Sequence, residues 1–223
     1  VLLRLAEFSA RSFTELFDGV RALPWEQFIP KDGAFPVKGH ALHSQLHSVP
    51  DCQSIVKKAV VERLKSRYHL SWFAETGAKY QIQFGILRDT ASIYLDTSGP
   101  GLHKRGYRAR ANEAPLRETL AAGMVELAHY RGREVVYDPF CGSGTILIEA
   151  AMIAQNRAPG LYRRFAAEAW ESCDAAVWKS LRDEAKGRMF ARDFRLTGTD
   201  IDDGALRTAA SNAAKAGVAQ YIT

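Results

Sequence analysis

The 223-residue sequence predicts an α/β fold in two parts, and three observations predict it. Residues 137–145, Tyr-Asp-Pro-Phe-Cys-Gly-Ser-Gly-Thr, follow the apolar pair Val135-Val136 and lead into the Ala-rich apolar segment 146–153. That order reads strand, tight glycine turn, helix. Leu196-Thr197-Gly198-Thr199-Asp200 reads as a second short strand ending in an acid, with a helix beginning at Asp202-Asp203. Ahead of both, residues 1–97 carry alternating strand patterns interleaved with two helix patterns. The expected architecture is an α/β unit followed by the first half of an open, parallel, doubly wound sheet.

Taken in order, residues 1–8 alternate loosely and read as a strand. Ser12 is placed to cap a helix running to Arg21, with Phe13, Leu16, Phe17 and Val20 on one face, and Pro24 ends it. Residues 35–48 read as extended, with Gly39 as the weak point. Asp51 then caps a long helix to Tyr68. Its apolar stripe is Ile55, Val56, Ala59, Val60 and Leu64, and its basic side is Lys57, Lys58, Arg63, Lys65 and Arg67. Tyr80, Ile82, Phe84 and Ile86 alternate with Gln81, Gln83 and Gly85 as a half-buried strand. Asp89-Thr90 turns it into a second strand over 91–96.

Residues 98–110 are Gly-rich and basic, with His103, Lys104, Arg105, Arg108 and Arg110 around Tyr107. They read either as a flexible linker or as a stacking and phosphate-contacting segment for nucleic acid. Asn112 or Glu113 begins the next helix, with Pro115 in its first turn.

Gly142 and Gly144 let the backbone turn sharply and approach a ligand closely. A phosphate loop of the P-loop kind needs Gly-Lys-Ser/Thr, whereas Thr145 is followed by Ile146. The charge that would pair a triphosphate is missing. The loop suits a cofactor bearing an amino acid and a sugar, S-adenosylmethionine. Asp200, at the end of the second strand, is placed to accept hydrogen bonds from the two ribose hydroxyls. Asp138 is either a cofactor contact or a turn residue, and Asp202 is a helix cap. The acid of a dinucleotide fold follows its glycines by about twenty residues. Asp200 lies much further on, so residues 159–164 and the helical stretch 174–192 form an insertion.

Hydrophobic residues at 47% and charged residues at 25% describe an ordinary soluble globular chain and exclude a disordered one. Neither a bilayer-spanning apolar run nor a signal peptide is visible. Cys52, Cys141 and Cys173 lie far apart without metal-ligand spacing, so no metal is expected and a reducing, cytoplasmic location is. Cys141 sits among glycine-loop residues with no base nearby in sequence and is a poor nucleophile. The net charge of +5 is uneven: residues 1–110 hold 16 Lys/Arg against 10 Asp/Glu, and residues 111–223 hold 14 against 15. That distribution is compatible with nucleic-acid capture without demanding it.

The string Asp138-Pro139-Phe140-Cys141-Gly142-Ser143-Gly144-Thr145 resembles motif I of the amino-methyltransferase branch of class I (Rossmann-like) S-adenosylmethionine enzymes. Further strings occur in the same order as in one family. They are Phe17-Asp18-Gly19-Val20 with Leu23-Pro24-Trp25, the segment 46–59 (Leu-His-Ser-Val-Pro-Asp-Cys-Gln-Ser-Ile-Val-Lys-Lys-Ala) and Leu95-Asp96-Thr97-Ser98-Gly99. His103-Lys104-Arg105-Gly106-Tyr107-Arg108, Glu113-Ala114-Pro115-Leu116-Arg117-Glu118-Thr119-Leu120 and Asn156-Arg157-Ala158-Pro159-Gly160, with Phe165 and Trp170, complete them. On these strings the chain resembles the bacterial THUMP-containing RNA methyltransferases, including large-subunit ribosomal RNA guanine-N2 methyltransferases. Some members of that family are labelled N6-adenine-specific DNA methylases.

The resemblance implies a THUMP-like RNA-binding domain over 1–97, a basic linker over 98–112 and an S-adenosylmethionine-binding methyltransferase domain over 113–223. Candidate cofactor residues are Asp138, Phe140, Cys141, Gly142, Ser143, Gly144, Thr145, Asp200 and Ile201, with Ala114, Pro115 and Leu116 near the methionine end. Candidate RNA contacts are Lys57, Lys58, His103, Lys104, Arg105, Tyr107 and Arg108. The implied reaction is methylation of guanine N2 in 23S ribosomal RNA. Alternatives are adenine-N6 methylation of DNA, or RNA binding without catalysis. The family's catalytic string Asn/Asp-Pro-Pro-Tyr occurs nowhere in the sequence. The chain is therefore expected to be part of a longer protein, incomplete at both ends, and inactive by itself.

Overall fold

The computed structural model describes residues 1–108 and 116–223. The expected helix start at Asn112 or Glu113 and the candidate residues Ala114 and Pro115 lie outside the described residues. Two compact units result, Val1–Gly99 with Phe165–Asp174, and Pro100–Arg164 with Ala175–Thr223.

In the first unit, β1 (Leu2–Ser9), β2 (Val37–Leu42), β3 (Ile82–Leu87) and β4 (Thr90–Asp96) form a sheet in the order β1-β4-β3-β2. β2 runs parallel to β3, and the other neighbours are antiparallel. The hairpin between β3 and β4 turns on Arg88 and Asp89, both at positive φ, which suits the right-handed strand twist. Ile82, Phe84, Ile86, Ile93 and Leu95 are buried on one face. Gly39 faces Phe84 across the parallel pair, where a Cβ would come within 2.4 Å of both the ring and the backbone oxygen.

Helices α1 (Phe13–Arg21) and α2 (Val49–Tyr68) pack against each other, and α2 packs against β2. Ser12 caps α1 as expected, its side chain accepting from the Glu15 amide at 3.2 Å. α2 begins earlier than expected. Ser48, not Asp51, is the capping residue, because Pro50 fits the first turn, where its missing N–H costs nothing. Trp25 is fully buried and donates Nε1 to the Val20 carbonyl at 2.7 Å. Phe165–Asp174, expected in the second domain, belongs to the first unit. There Trp170 stacks on Tyr80 at 5.0 Å and donates Nε1 to the Lys79 carbonyl at 3.0 Å.

In the second unit, α3 (Glu118–Leu127) packs on α4 (Thr145–Ala154). Leu116 and Arg117 are non-helical, and α3 begins at Glu118. β5 (Val136–Asp138) pairs in parallel with β6 (Leu196–Gly198), and Leu196 bridges Ile222 in parallel on its other side. α4 is buried almost all round, as its uniformly apolar sequence requires. Between α4 and β6 lie a 3-10 turn, which belongs to the first unit, and α5 (Ala175–Gly187). Asp202 caps α6 (Asp203–Ala216), and Gly217 closes it in the left-handed conformation.

Candidate cofactor site

The loop between β5 and α4 is held at the carboxyl ends of two parallel strands. The Thr199 amide donates to the Asp138 carbonyl, and the Cys141 amide to the Thr199 carbonyl, both at 2.9 Å. These bonds extend the ladder past the strands and aim residues 140–145 over their ends. Gly142 has φ +53°, and a Cβ there would meet nothing within 4 Å. The backbone therefore borders open space at the place where a ligand would lie. Gly144, at φ +76°, serves packing instead: a Cβ would come within 3.0 Å of Ala209. Gly198 is likewise needed for close packing, since a Cβ would press to 2.4 Å from Leu147.

Asp200 ties the second strand to this loop. Its Oδ2 accepts the Gly142 amide at 2.8 Å and its Oδ1 the Asp202 amide at 3.0 Å. These two N–H groups hold its carboxyl below the ordinary Asp range. Asp138 turns its Oδ1 to the Phe140 amide at 3.2 Å. Phe140 is 85% exposed and Ile201 fully exposed beside these two acids. Ser143 and Thr145 are buried, their hydroxyls 3.2 Å apart, and Asn212 donates to the Ser143 carbonyl at 3.1 Å. Cys141 is buried, and burial with the nearby Asp138 and Asp200 charges pushes its thiol up, away from the reactive thiolate form. Asp138, Gly142 and Asp200 are thus brought together at the carboxyl ends of the two strands.

In the described part of the basic connector, residues 98–108, several side chains turn inward. Tyr107 is buried, with its hydroxyl donating to Glu149 Oε1 at 3.1 Å. Arg105 reaches the same carboxylate at 3.4 and 3.2 Å. Arg108 donates Nη2 to Thr145 Oγ1 at 2.8 Å and to the Leu116 carbonyl at 3.0 Å. Tyr107, Arg105 and Arg108, expected as RNA contacts, make these inward bonds in the structure. Buried acids on α3 and α4 draw these side chains inward. Lys104 is exposed and His103 half-buried.

The basic side of α2 is also largely paired. Arg63 makes a bidentate pair with Glu26 at 2.9 and 2.6 Å, which Arg67 joins at 3.2 Å. Lys57 pairs with Glu75 at 2.5 Å and lies 3.5 Å from the Phe35 ring centroid, its ammonium pushed down by burial. Among the described residues, Lys58 is the one of the five basic side chains without an ion pair.

Glu118, Glu149 and Asn212 were missed from sequence. The signal for Glu149 was available: it is the lone charge in an otherwise apolar helix. A cavity of about 530 Å³ between α3, α4 and α5 is lined by Arg105, Glu149, Leu181 and Glu184, and none of residues 138–145 lines it. No cluster among the described residues could hold a metal ion. No helix among them is long and apolar enough to cross a membrane.

Residues 105–223 match the family described as RMKL-like, methyltransferase domain, and residues 10–96 match the THUMP domain. The chain is 45% identical over its full length to "Putative RNA methyltransferase YpsC" of Bacillus subtilis, covering 58% of that protein. It is 36% identical, again over its full length, to the ribosomal RNA large subunit methyltransferase K/L of Psychromonas ingrahamii, covering 30% of it. The crystal structure of SMU.472 complexed with SAH superposes with a TM-score of 0.89 at 40% identity, over 99% of this chain and 59% of that one. The chain thus spans little more than half, or less, of the relatives it matches. A glycine loop tied to a strand-end acid, within a sequence that matches along its whole length, means that the chain belongs to the RMKL-like methyltransferase family and carries a THUMP domain.

Proposed function

We propose that the protein is an S-adenosylmethionine-dependent RNA methyltransferase whose target is guanine N2 in 23S ribosomal RNA. The observation that carries the reading is Asp200, which holds Gly142 of the glycine loop while standing half-exposed at the strand end. The site fits the cofactor. Gly142 borders open space, Asp200 offers acceptors for a pair of sugar hydroxyls, and no Lys follows Gly144 to pair a triphosphate. The match to a SAH complex and the names of the two sequence relatives support the same reading.

When bound, S-adenosylmethionine supplies an electrophilic methyl group on a sulfonium. The residues of this chain bind and orient: Asp200 aligns the sugar, the loop backbone follows the cofactor, and Phe140 and Ile201 offer exposed apolar surface to its base. Holding the donor in one orientation lowers the barrier for a weakly nucleophilic exocyclic amine. Methyl transfer from labelled donor by the full-length protein to ribosomal RNA and to duplex DNA tests the reading. Label in guanine of large-subunit RNA is expected, whereas label confined to DNA adenine would sink it.

For the RNA, Lys58 and Lys104 remain as exposed groups, with His103 half-buried next to Lys104. Lys58→Glu and Lys104→Glu are each expected to weaken RNA binding and to reduce the slope of log affinity against log salt by about one unit. Cofactor affinity should stay unchanged. An unaltered salt slope in both variants would remove these lysines from the interface.

A further inference from the structure

Arg108 stands out among the cations of the connector. Its side chain is 13% exposed, and among the described residues its hydrogen bonds all leave from Nη2, to Thr145 Oγ1 and to the Leu116 carbonyl. Its Nε lies 3.4 Å from Glu118 Oε1 but makes no aligned hydrogen bond, and Glu118 is itself 6% exposed. A guanidinium carries five donors, and burying its Nε–H without an aligned acceptor is costly unless a further acceptor arrives. Thr145 is the first residue of α4, whose amide end adds positive potential at the same place. A single carboxylate, at long distance, opposes both.

The loop therefore has chemically opposite ends. At Gly142 it meets the acid Asp200, and at Thr145 it meets the cation Arg108. A ligand lying along residues 142–145 with its sugar on Asp200 would bring its far end to Arg108. We infer that Arg108 recognises the carboxylate at the amino-acid end of the cofactor, with Glu118 and Thr145 holding the guanidinium in place. The inference rests on the cofactor reading proposed above. It makes Arg108 a specificity-determining contact, distinct from a mere bolt between connector and loop.

Decarboxylated S-adenosylmethionine differs from S-adenosylmethionine only at that carboxylate, so titration calorimetry of the full chain with both compounds tests the assignment. The wild-type chain is expected to prefer the carboxylate-bearing compound by about tenfold or more, the worth of a charge-assisted hydrogen bond. Arg108→Met should reduce the preference to within about twofold while leaving affinity for the decarboxylated compound in place. Arg108→Lys should retain part of the preference, and thermal melting confirms that each variant folds. Should Arg108→Met not fold, the lysine variant carries the comparison, with a fall in preference of at least about threefold expected. Equal weakening of both compounds, or an unchanged preference, would overturn the inference. If the wild-type chain bound both compounds without preference, the inference alone would fail. If it bound neither, the cofactor reading would fall as well.

Discussion

Asp200→Ala is expected to weaken binding of S-adenosylhomocysteine by about a hundredfold. The substitution removes the acceptor for two sugar hydroxyls, and each charge-assisted hydrogen bond lost costs about tenfold in affinity. The substitution also frees the Gly142 amide from its 2.8 Å bond, so the loop loses the tie that shapes it. Asp200→Asn keeps one acceptor oxygen and should lie between the two, near a tenfold loss, roughly one charge-assisted bond. Isothermal titration on folded variants measures both, and an alanine variant within about threefold of wild type would remove Asp200 from the site.

The pH dependence follows from the same contacts. The Asp202 and Gly142 amides hold the Asp200 carboxyl below its ordinary value of 3.8. A lowered pKa means that the ionised form persists as pH falls. Its contribution is present above the ordinary value and is lost only as pH falls through the lowered one. Cofactor binding should accordingly show no loss from this group between neutral pH and the ordinary carboxylate range.

Arg105→Met is expected to cost the second unit about 3–5 kcal/mol at mildly alkaline pH, the usual penalty for stranding one member of a buried ion pair. Glu149 is 2% exposed, and Arg105 and Tyr107 supply its partners. Burial already raises its carboxyl above the ordinary Glu value, and Arg105 pulls back against that rise. A raised pKa places the sign opposite to that of Asp200. Stability tied to Glu149 is full below the ordinary value and falls as pH rises through the raised one. Without Arg105 the carboxyl rises further, so the deficit of the variant should grow toward alkaline pH and shrink in acid, where Glu149 is protonated. Urea unfolding at several pH values measures this. Unchanged stability with reduced RNA affinity would instead return Arg105 to the RNA-contacting surface.

Legibility divided along the range of the interactions. The Ser12 cap, the left-handed close at Gly217 and the hairpin at Asp89 depend on neighbours within a few residues, and all were readable in the chain. The glycine loop was equally readable, because its turn depends on missing side chains at fixed spacing. The start of α2 was misplaced by a short-range competition, in which Asp51 looked like a cap although Pro50 already fitted the first turn. The direction of the connector's side chains could not be read in this way. Outward arginines and inward arginines have the same local sequence, and distant partners decide between them: Glu149, 44 residues beyond Arg105, and Thr145 for Arg108.

By itself the sequence determined the order strand, loop, helix around residues 136–154, the acid at the end of the next strand and the likeness to one family. Local backbone chemistry is enough for each of these. Only the tertiary structure decided that Arg105, Tyr107 and Arg108 turn inward and that Phe165–Asp174 joins the first unit. It also tied the Asp200 carboxylate to the Gly142 amide across 58 residues. Buried charge must find a partner, and where that partner lies is a property of the packed chain.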